Sequence, residues 1–206
     1  WAERSISTVM QPLFLKTVLS RTRLSAAILS NILNRGIVCR PREQKVAEAW
    51  QYANEHNMNK SLCILVDYSL PSGCNRLWVW DFDDEEILFE CPVAHGRGKG
   101  KHSRRSIASF SNEEDTWLSS LGKIRVGERY TGRFGISYRL DGLDPTNNNI
   151  RRRFIVLHAY RTVPPKPIFP LPSGRSKGCL MVAPRNMQTL DKILQGHENV
   201  LIVAYN

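Results

Sequence analysis

Two patterns of apolar residues divide the chain. Over residues 12–35 and 42–54, apolar side chains recur every three or four positions, as on one face of a helix, and Gly36 is a natural helix stop. From residue 60 onwards the apolar runs are short, rich in β-branched and aromatic residues, and separated by turn residues. The sequence therefore predicts a helical N-terminal region, residues 1–60, followed by a mainly β domain, residues 61–206.

The β region opens with three apolar runs joined by short turns. The runs are SLCILVD at 61–67, RLWVWDF at 76–82 and ILFECPVA at 87–94, and they predict an antiparallel meander. Further strands are predicted at 122–126, 134–140, 153–158 and 199–205, and a helix is predicted at 184–194.

Composition and charge narrow the class of protein. Apolar residues make up 42% of the chain and charged residues 23%, as in ordinary folded proteins. No uninterrupted apolar run reaches the ~18 residues of a membrane span, although a basic amphipathic helix is compatible with peripheral membrane contact. The net charge of +10 favours an anionic partner: nucleic acid, a membrane surface or an acidic polymer.

The cysteines give no support for a metal site. The five cysteines include no CxxC pair, so we predict neither a zinc site nor another cofactor. Free thiols and disulfides are both compatible with this count.

Candidate chemistry lies in the stretch SGRSKGCLMV at 173–182. Cys179 follows a glycine at a predicted loop end, and His158 ends a predicted strand. In such a pair the imidazole takes the thiol proton and the thiolate attacks a carbonyl. Gly178 allows close approach of the backbone to a substrate, and Arg175 and Lys177 are expected to lower the pKa of the thiol.

The spacing of this pair resembles a known signature. His158, seventeen further residues and then Ser176-Lys177-Gly178-Cys179 resemble the motif of YkuD-type L,D-transpeptidases. Over residues ~60–206 the chain is similar to the murein L,D-transpeptidase catalytic domain family. The segments that carry this resemblance, in order, are RLWVWD at 76–81, CPVAHGRG at 91–98, FSN at 110–112, SLG at 120–122, YTGRFG at 130–135, SYRLDGL at 137–143, IVLH at 155–158 and GRSKGC at 174–179.

The resemblance implies a mainly β, sandwich-like catalytic domain with the cysteine in a cleft. It implies attack on the diamino-acid carbonyl of a peptidoglycan tetrapeptide stem and release of D-alanine. Cys179 would be the nucleophile and His158 the base; Ser176 would fix the loop, and Gly178 with the Cys179 amide would help form an oxyanion pocket. The sequence departs from the usual family motif at three points. It has Lys177 in place of a second histidine, Met181 in place of an asparagine, and Ala159-Tyr160 where a glycine is frequent.

The family also implies an extracytoplasmic location, in the periplasm of a Gram-negative bacterium. A basic cleft there would steer the free carboxylates of peptidoglycan stems. With Cys179 free, the short span between Cys63 and Cys74 favours a disulfide between them, with Cys39–Cys91 as its complement. Four buried thiols are the alternative.

Three further residues are candidates for substrate binding. His95, with Arg97 beside it, either faces the cleft and binds a stem carboxylate or caps a tight glycine turn. Tyr138 and Arg139 lie on a predicted strand, and Arg139 either binds a carboxylate or forms a structural ion pair.

Three functions remain open at this stage. The first is L,D-transpeptidation, and the second is an L,D-carboxypeptidase or endopeptidase reaction with water as the acceptor. The third is a non-catalytic module that binds cell wall or nucleic acid, for which the Arg151–Arg153 run is suitable. Against nucleic acid, Trp78 and Trp80 alternate with aliphatic residues instead of basic ones, so no nucleic-acid partner is expected.

Overall fold

The computed structural model describes residues 39–99 and 106–206. The helix predicted for residues 12–35 lies outside the described residues. The helix predicted at 42–54 is present as α1, Glu43–Glu55, and buries Ala49 and Ala53. These two small side chains lie four positions apart, so they share the face that packs against the sheet.

Eight strands and a second helix make up the rest of the described chain. The strands are β1 (Leu62–Asp67), β2 (Leu77–Asp81), β3 (Glu86–Cys91), β4 (Gly122–Gly132), β5 (Gly135–Gly142), β6 (Val156–Ala159), β7 (Leu180–Val182) and β8 (Leu201–Tyr205). The helix α2, Pro184–Leu194, has the bounds predicted from the sequence. The predicted mainly β fold is confirmed.

The strands hydrogen-bond into one mixed sheet in the order β3-β2-β1-β8-β4-β5-β6-β7. The meander β1-β2-β3 is antiparallel as predicted. Two pairings are parallel instead, β1 with β8 and β6 with β7. The short strand β7 has no counterpart among the predicted strands, and β4 and β5 form a longer hairpin than the segments 122–126 and 134–140 predicted.

Apolar clusters cover both faces of the sheet. On one face, Met187, Leu190 and Leu194 of α2 join a large cluster; on the other, α1 packs over Trp78 and its neighbours. Every residue of β1 is buried, because this strand lies between the two clusters. Burial on both faces explains why its sequence is a continuous apolar run rather than an alternating one.

The two predicted disulfides are absent, because all five cysteines are free thiols. Cys63 belongs to the cluster under α1 and Cys91 to the cluster on the opposite face, so neither can reach its predicted partner. Cys63 pairs with Trp80 at one end of the β1–β2 hairpin, whereas Cys74 lies in the turn at the other end. The short sequence separation therefore does not bring Cys63 and Cys74 together.

Cys39–Asn206 form one compact unit, and this unit includes α1. The domain boundary drawn from the sequence at residue 60 lies on the C-terminal side of this helix. Neither helix of residues 39–99 and 106–206 is long and apolar enough to cross a membrane. Within the same residues no group of His, Cys, Asp and Glu side chains is arranged to hold a metal ion.

Candidate active site

The parallel pair β6–β7 brings His158 and Cys179 to one face of the sheet. His158 is directly opposite Met181, and Leu157 is opposite Leu180. Because side chains alternate along a strand and neighbours in register point the same way, Cys179, two residues before Met181, lies on the same face as His158. Leu157 and Leu180 point the other way, into the large core cluster. The alternation therefore places His158 and Cys179 on the cleft side and Leu157 and Leu180 in the core.

His158 is held as a neutral imidazole. It is buried, and its Nδ1 lies 2.9 Å from the Ala159 carbonyl oxygen. A carbonyl oxygen only accepts, so Nδ1 carries the proton and Nε2 is left with a lone pair. Phe134 stacks on the imidazole with ring centroids 4.3 Å apart. Burial lowers the pKa of His158 below its ordinary 6.5, so the neutral ring predominates at pH 7.

Cys179 sits in an environment of backbone groups. Its Sγ donates to the Phe154 carbonyl oxygen at 3.8 Å. Burial raises the pKa of the thiol, opposed by hydrogen bonds from the Val156 and Cys179 backbone N–H groups and by the positive charge of Arg153. The net pKa of Cys179 is therefore raised, whereas the basic neighbours Arg175 and Lys177 had led us to expect a lowered one.

The loop before Cys179 is fixed by one hydroxyl group. Ser176 Oγ donates to the Cys179 carbonyl oxygen at 2.8 Å and accepts from the Gly178 N–H at 3.1 Å. Its backbone is clamped to the neighbouring turn, since Ser176 N–H donates to His95 O and Arg97 N–H donates to Ser176 O. Ser176 thus lies where a loop-fixing residue is needed.

Gly178 is required by space and by backbone conformation. Its φ is +111°, and a Cβ there would lie 2.7 Å from the Leu118 carbonyl oxygen. The Gly178 N–H already donates to Ser176, so it is not directed at an oxyanion in this structure. The backbone amides that surround the sulfur are those of Val156 and Cys179.

His158 and Cys179 open into a cleft of about 650 Å³. Five cationic side chains and one carboxylate, that of Asp115, line it. The cations are Arg97, Arg133, Arg153, Arg175 and Lys177. An aromatic wall completes the lining with Trp117, Phe134, Phe154 and Tyr160. A cleft of this composition attracts ligands that combine carboxylates with apolar surface.

The Trp117 ring is the centre of a cluster of cations. The Arg97 guanidinium carbon lies 4.6 Å from the ring centroid, and the ammonium nitrogens of Lys99 and Lys177 lie 5.2 and 4.4 Å from it. Asp115 pairs with Lys99 at the rim. The predicted cleft residue Lys177 is thus present, with its ammonium group over an aromatic face.

Two other predicted substrate-binding residues point away from the cleft. His95 is fully buried, and its Nδ1 accepts a hydrogen bond from Arg76 Nη2 at 2.9 Å. Tyr138 is buried on the α2 side, where its hydroxyl donates to Asp191 at 2.8 Å. Neither residue lines the cleft, so the predicted substrate-binding role of Tyr138 is wrong, because alternation sends its side chain to the core face. Of the two interpretations of His95, the structure contradicts the one in which it faces the cleft, because its side chain is buried against Arg76.

Arg139 also lies outside the cleft lining. It is opposite Val156 in the β5–β6 register and so shares the face of His158. Its guanidinium carbon lies 4.5 Å from the centroid of the Tyr130 ring, which holds the side chain on the β4–β5 hairpin.

A sequence comparison decides the family. A profile described as L,D-transpeptidase catalytic domain matches residues 37–205. The chain belongs to the L,D-transpeptidase catalytic domain family. No curated protein matches the sequence significantly.

Solved structures resemble this member of the family at low identity. The helical cell shape determining protein Pgp2 from Campylobacter jejuni is 14% identical, with a TM-score of 0.45 over 71% of this chain and 48% of that chain. An L,D-transpeptidase from Mycobacterium smegmatis is 10% identical (TM-score 0.42, 71% and 58% covered). The L,D-transpeptidase (Yku) from Stackebrandtia nassauensis is 15% identical (TM-score 0.43, 71% and 56% covered). The chain thus spans about half the length of the Campylobacter protein.

The three departures from the L,D-transpeptidase signature lie around the dyad. Lys177 contacts Trp117, as described above. Met181 is buried beside Ala94 and forms part of the cleft floor. Tyr160 meets Phe134 edge-on, with centroids 5.8 Å apart, and so supports the ring that stacks on His158.

Arg153 is a cleft residue that sequence reasoning missed. The sequence groups it with Arg151 and Arg152 as a run suited to binding cell wall or nucleic acid. In the structure its guanidinium donates to the Ser111 and Leu118 carbonyl oxygens, each at 2.6 Å, and it lines the cleft. Its acceptors are 33 to 42 residues away in sequence, so no local pattern singles it out.

Proposed function

We propose that the protein is a cysteine-dependent L,D-transpeptidase that acts on peptidoglycan tetrapeptide stems. Its family is enzymatic in peptidoglycan metabolism. The observation that supports the finer proposal is that His158, on β6, and Cys179, immediately before β7, line the same basic cleft. The free Nε2 of His158 is suited to the role of base.

Acylation begins from a neutral pair, a thiol and an imidazole. His158 Nε2 takes the Cys179 proton as the sulfur attacks the carbonyl carbon of the third stem residue. The carbonyl π electrons move to oxygen and form a tetrahedral oxyanion. When the oxyanion collapses, the C–N bond to D-alanine breaks, and the imidazolium returns its proton to the leaving amine. The product is a thioester on Cys179.

The developing negative charge has two sources of stabilisation. The Val156 and Cys179 N–H groups stabilise the Cys179 thiolate by hydrogen bonding, and Arg153 supplies a positive charge that acts on it. Arg153 is held by neutral acceptors, and Glu114, the carboxylate that acts on its charge, is paired with Arg152. Its charge is therefore available to the cleft.

The lining of the cleft supports a stem peptide as the substrate. Stem peptides carry free carboxylates, and the cleft that would bind them is lined by five cations and one carboxylate. The volume of about 650 Å³ falls in the range of sites for short peptides and drug-sized ligands. Since peptidoglycan lies outside the cytoplasm, we propose an extracytoplasmic, periplasmic location.

In the second half-reaction an acceptor amine attacks the thioester. His158 takes the amine proton, the new amide forms, and the Cys179 thiolate leaves and regains a proton from the imidazolium. Water in place of the amine would give a tripeptide, which is the carboxypeptidase outcome.

The test is incubation of the protein with purified disaccharide-tetrapeptide, followed by mass analysis of products and of intact protein. We expect release of D-alanine, a tripeptide adduct on Cys179 and cross-linked dimers. Cys179→Ala should abolish all three, and His158→Gln should slow them by roughly 10²–10⁴-fold. Cys39→Ala, which removes a thiol outside the cleft, is the matched control and should retain turnover under reducing conditions.

Tripeptide without dimers would identify the hydrolase and overturn transpeptidation. Absence of both turnover and adduct in the wild-type protein would overturn the cysteine mechanism on this substrate.

A further inference from the structure

Ser119 is a buried serine that contacts two of the segments around Cys179. Its side chain is fully buried. Its Oγ accepts a hydrogen bond from the Gly96 N–H at 2.9 Å and donates to the Gly178 carbonyl oxygen at 3.4 Å. Gly96 also forms a parallel bridge with Ser176. One hydroxyl group therefore connects the glycine turn with the peptide group that precedes Cys179.

The proton of the Ser119 hydroxyl is directed at Gly178. Because the oxygen accepts from the Gly96 N–H, its own proton is left to be donated to a different group, and the Gly178 carbonyl oxygen is the acceptor. Tyr68 packs against Phe110, the bridge partner of Ser119. Among the described residues the Tyr68 hydroxyl has no hydrogen-bond partner, so it does not compete for this proton.

The backbone around Ser119 is held in close contact with both glycines. A Cβ at Gly96 would lie 2.3 Å from the Trp117 carbonyl oxygen, and a Cβ at Gly178 would lie 2.7 Å from that of Leu118. The Ser119 carbonyl oxygen accepts from the Ser111 N–H at 3.0 Å. The position of the hydroxyl group is therefore set by the packing of residues 117–119.

The Gly178 carbonyl and the Cys179 N–H belong to the same peptide group. In a trans peptide these two bonds point in opposite directions, so the hydrogen bond from Ser119 also fixes the direction of the Cys179 N–H. Donation to the carbonyl polarises the N–H of the same group. This N–H acts on its own sulfur, and the N–H of a nucleophilic residue is a common donor to the oxyanion of acyl transfer.

We propose that Ser119 is a positioning residue that holds the Gly178–Cys179 peptide group so that the Cys179 N–H stabilises the tetrahedral oxyanion. This inference deepens the proposed function and rests on its cysteine mechanism. When the Cys179 N–H donates to the oxyanion, the Gly178 carbonyl oxygen becomes a stronger acceptor, so the bond from Ser119 strengthens at the same step. Hydrogen bonds of this kind are often long before substrate binds and shorten in the reacting complex.

The experiment compares two reactions of the same sulfur. With p-nitrophenyl acetate, the Cys179 thiolate attacks the ester carbonyl, an oxyanion forms and collapses, the C–O bond breaks, and p-nitrophenolate leaves an acetyl thioester behind. With iodoacetamide, the thiolate displaces iodide and no oxyanion forms. Both reactions begin with the thiolate, so the ratio of acylation rate to alkylation rate isolates the stabilisation of the oxyanion. Both are followed by the mass of the Cys179 peptide.

Ser119→Ala should lower this ratio roughly tenfold, which is less than the loss of about 10²–10³ on removal of a direct oxyanion donor. Ser119→Thr keeps the hydroxyl and should restore the ratio. Ser111→Ala is the matched control, because its hydroxyl lies in the same loop and accepts from the Glu113 N–H at 3.0 Å instead. This variant should keep the wild-type ratio.

Circular dichroism first confirms that each variant is folded. An unchanged ratio in Ser119→Ala, or an equal fall in Ser111→Ala, would overturn the proposal. The same holds for a folded Ser119→Thr whose ratio equals that of the alanine variant. A wild-type protein that is alkylated but never acylated at Cys179 would count against acyl transfer itself, and this role of Ser119 would be lost with it.

Discussion

Replacing Arg153 with methionine tests the electrostatics of the nucleophile. Arg153 is the cation whose charge lowers the pKa of Cys179 against the effect of burial. Methionine keeps an unbranched apolar stem and removes the charge. Burial and the two backbone hydrogen bonds have larger effects on this pKa than Arg153, so loss of the Arg153 charge should raise the pKa further.

A loss of about 1.4 kcal/mol of electrostatic stabilisation of the thiolate would lower the thiolate fraction tenfold. Arg153→Met should therefore slow alkylation of Cys179 by iodoacetamide about tenfold at pH 7.5. D-alanine release should fall by at least as much, because the Ser111 and Leu118 carbonyl oxygens also lose their donors. Alkylation is followed by the mass of the Cys179 peptide at 25 °C, after circular dichroism confirms that the variant is folded.

Arg152→Met is the matched control. Arg152 occupies the same turn, its side chain is largely exposed, and it pairs with Glu114. The variant has the same net charge as Arg153→Met, yet its Cys179 should alkylate at the wild-type rate. Equal slowing in both variants would mean that net charge is responsible, and a wild-type rate in folded Arg153→Met would refute the role of Arg153.

Three further predictions concern single positions. Gly178→Ala should reduce turnover about a hundredfold, because the new Cβ meets the Leu118 carbonyl oxygen and displaces Cys179; unchanged D-alanine release would contradict this. Neutral His158 is needed as the base and burial lowers its pKa, so the acid limb of kcat/KM should have its midpoint below pH 6.5; a midpoint above 7 would refute the assignment. Asp191, whose pKa is lowered chiefly by hydrogen bonds from Arg129, stabilises the fold above its unfolded pKa and ceases to do so once protonated. Asp191→Asn should therefore lower the Tm at pH 7, and the gap should shrink below pH 3.8, as thermal melts across pH would show.

Much of the local structure follows from the sequence alone. The bounds of α2 were predicted because proline at its start and apolar residues at helical spacing act within a few residues. The meander β1-β2-β3 was predicted because short turns force neighbouring strands to pair antiparallel. Cys179 and His158 were identified as the candidate catalytic pair because their motif spacing matches a known family, and spacing along the chain is a property of sequence.

Pairing between distant strands was decided only by the tertiary structure. β8, the last strand, lies between β1 and β4 in the middle of the sheet. A buried strand has the same apolar pattern wherever it is inserted, so the pattern does not specify its neighbours. The parallel register of β6 and β7, which sets the shared face of His158 and Cys179, arises in the same way.

The tertiary structure also decided which polar residues serve the cleft. Arg153 does so because carbonyl oxygens far along the chain hold its guanidinium there. His95 does not, because the buried Arg76 occupies its Nδ1. Residue type and charge are local properties of the sequence. Burial and hydrogen-bond partners depend on segments that meet only in the folded chain, and they decide which cationic side chain lies near Cys179.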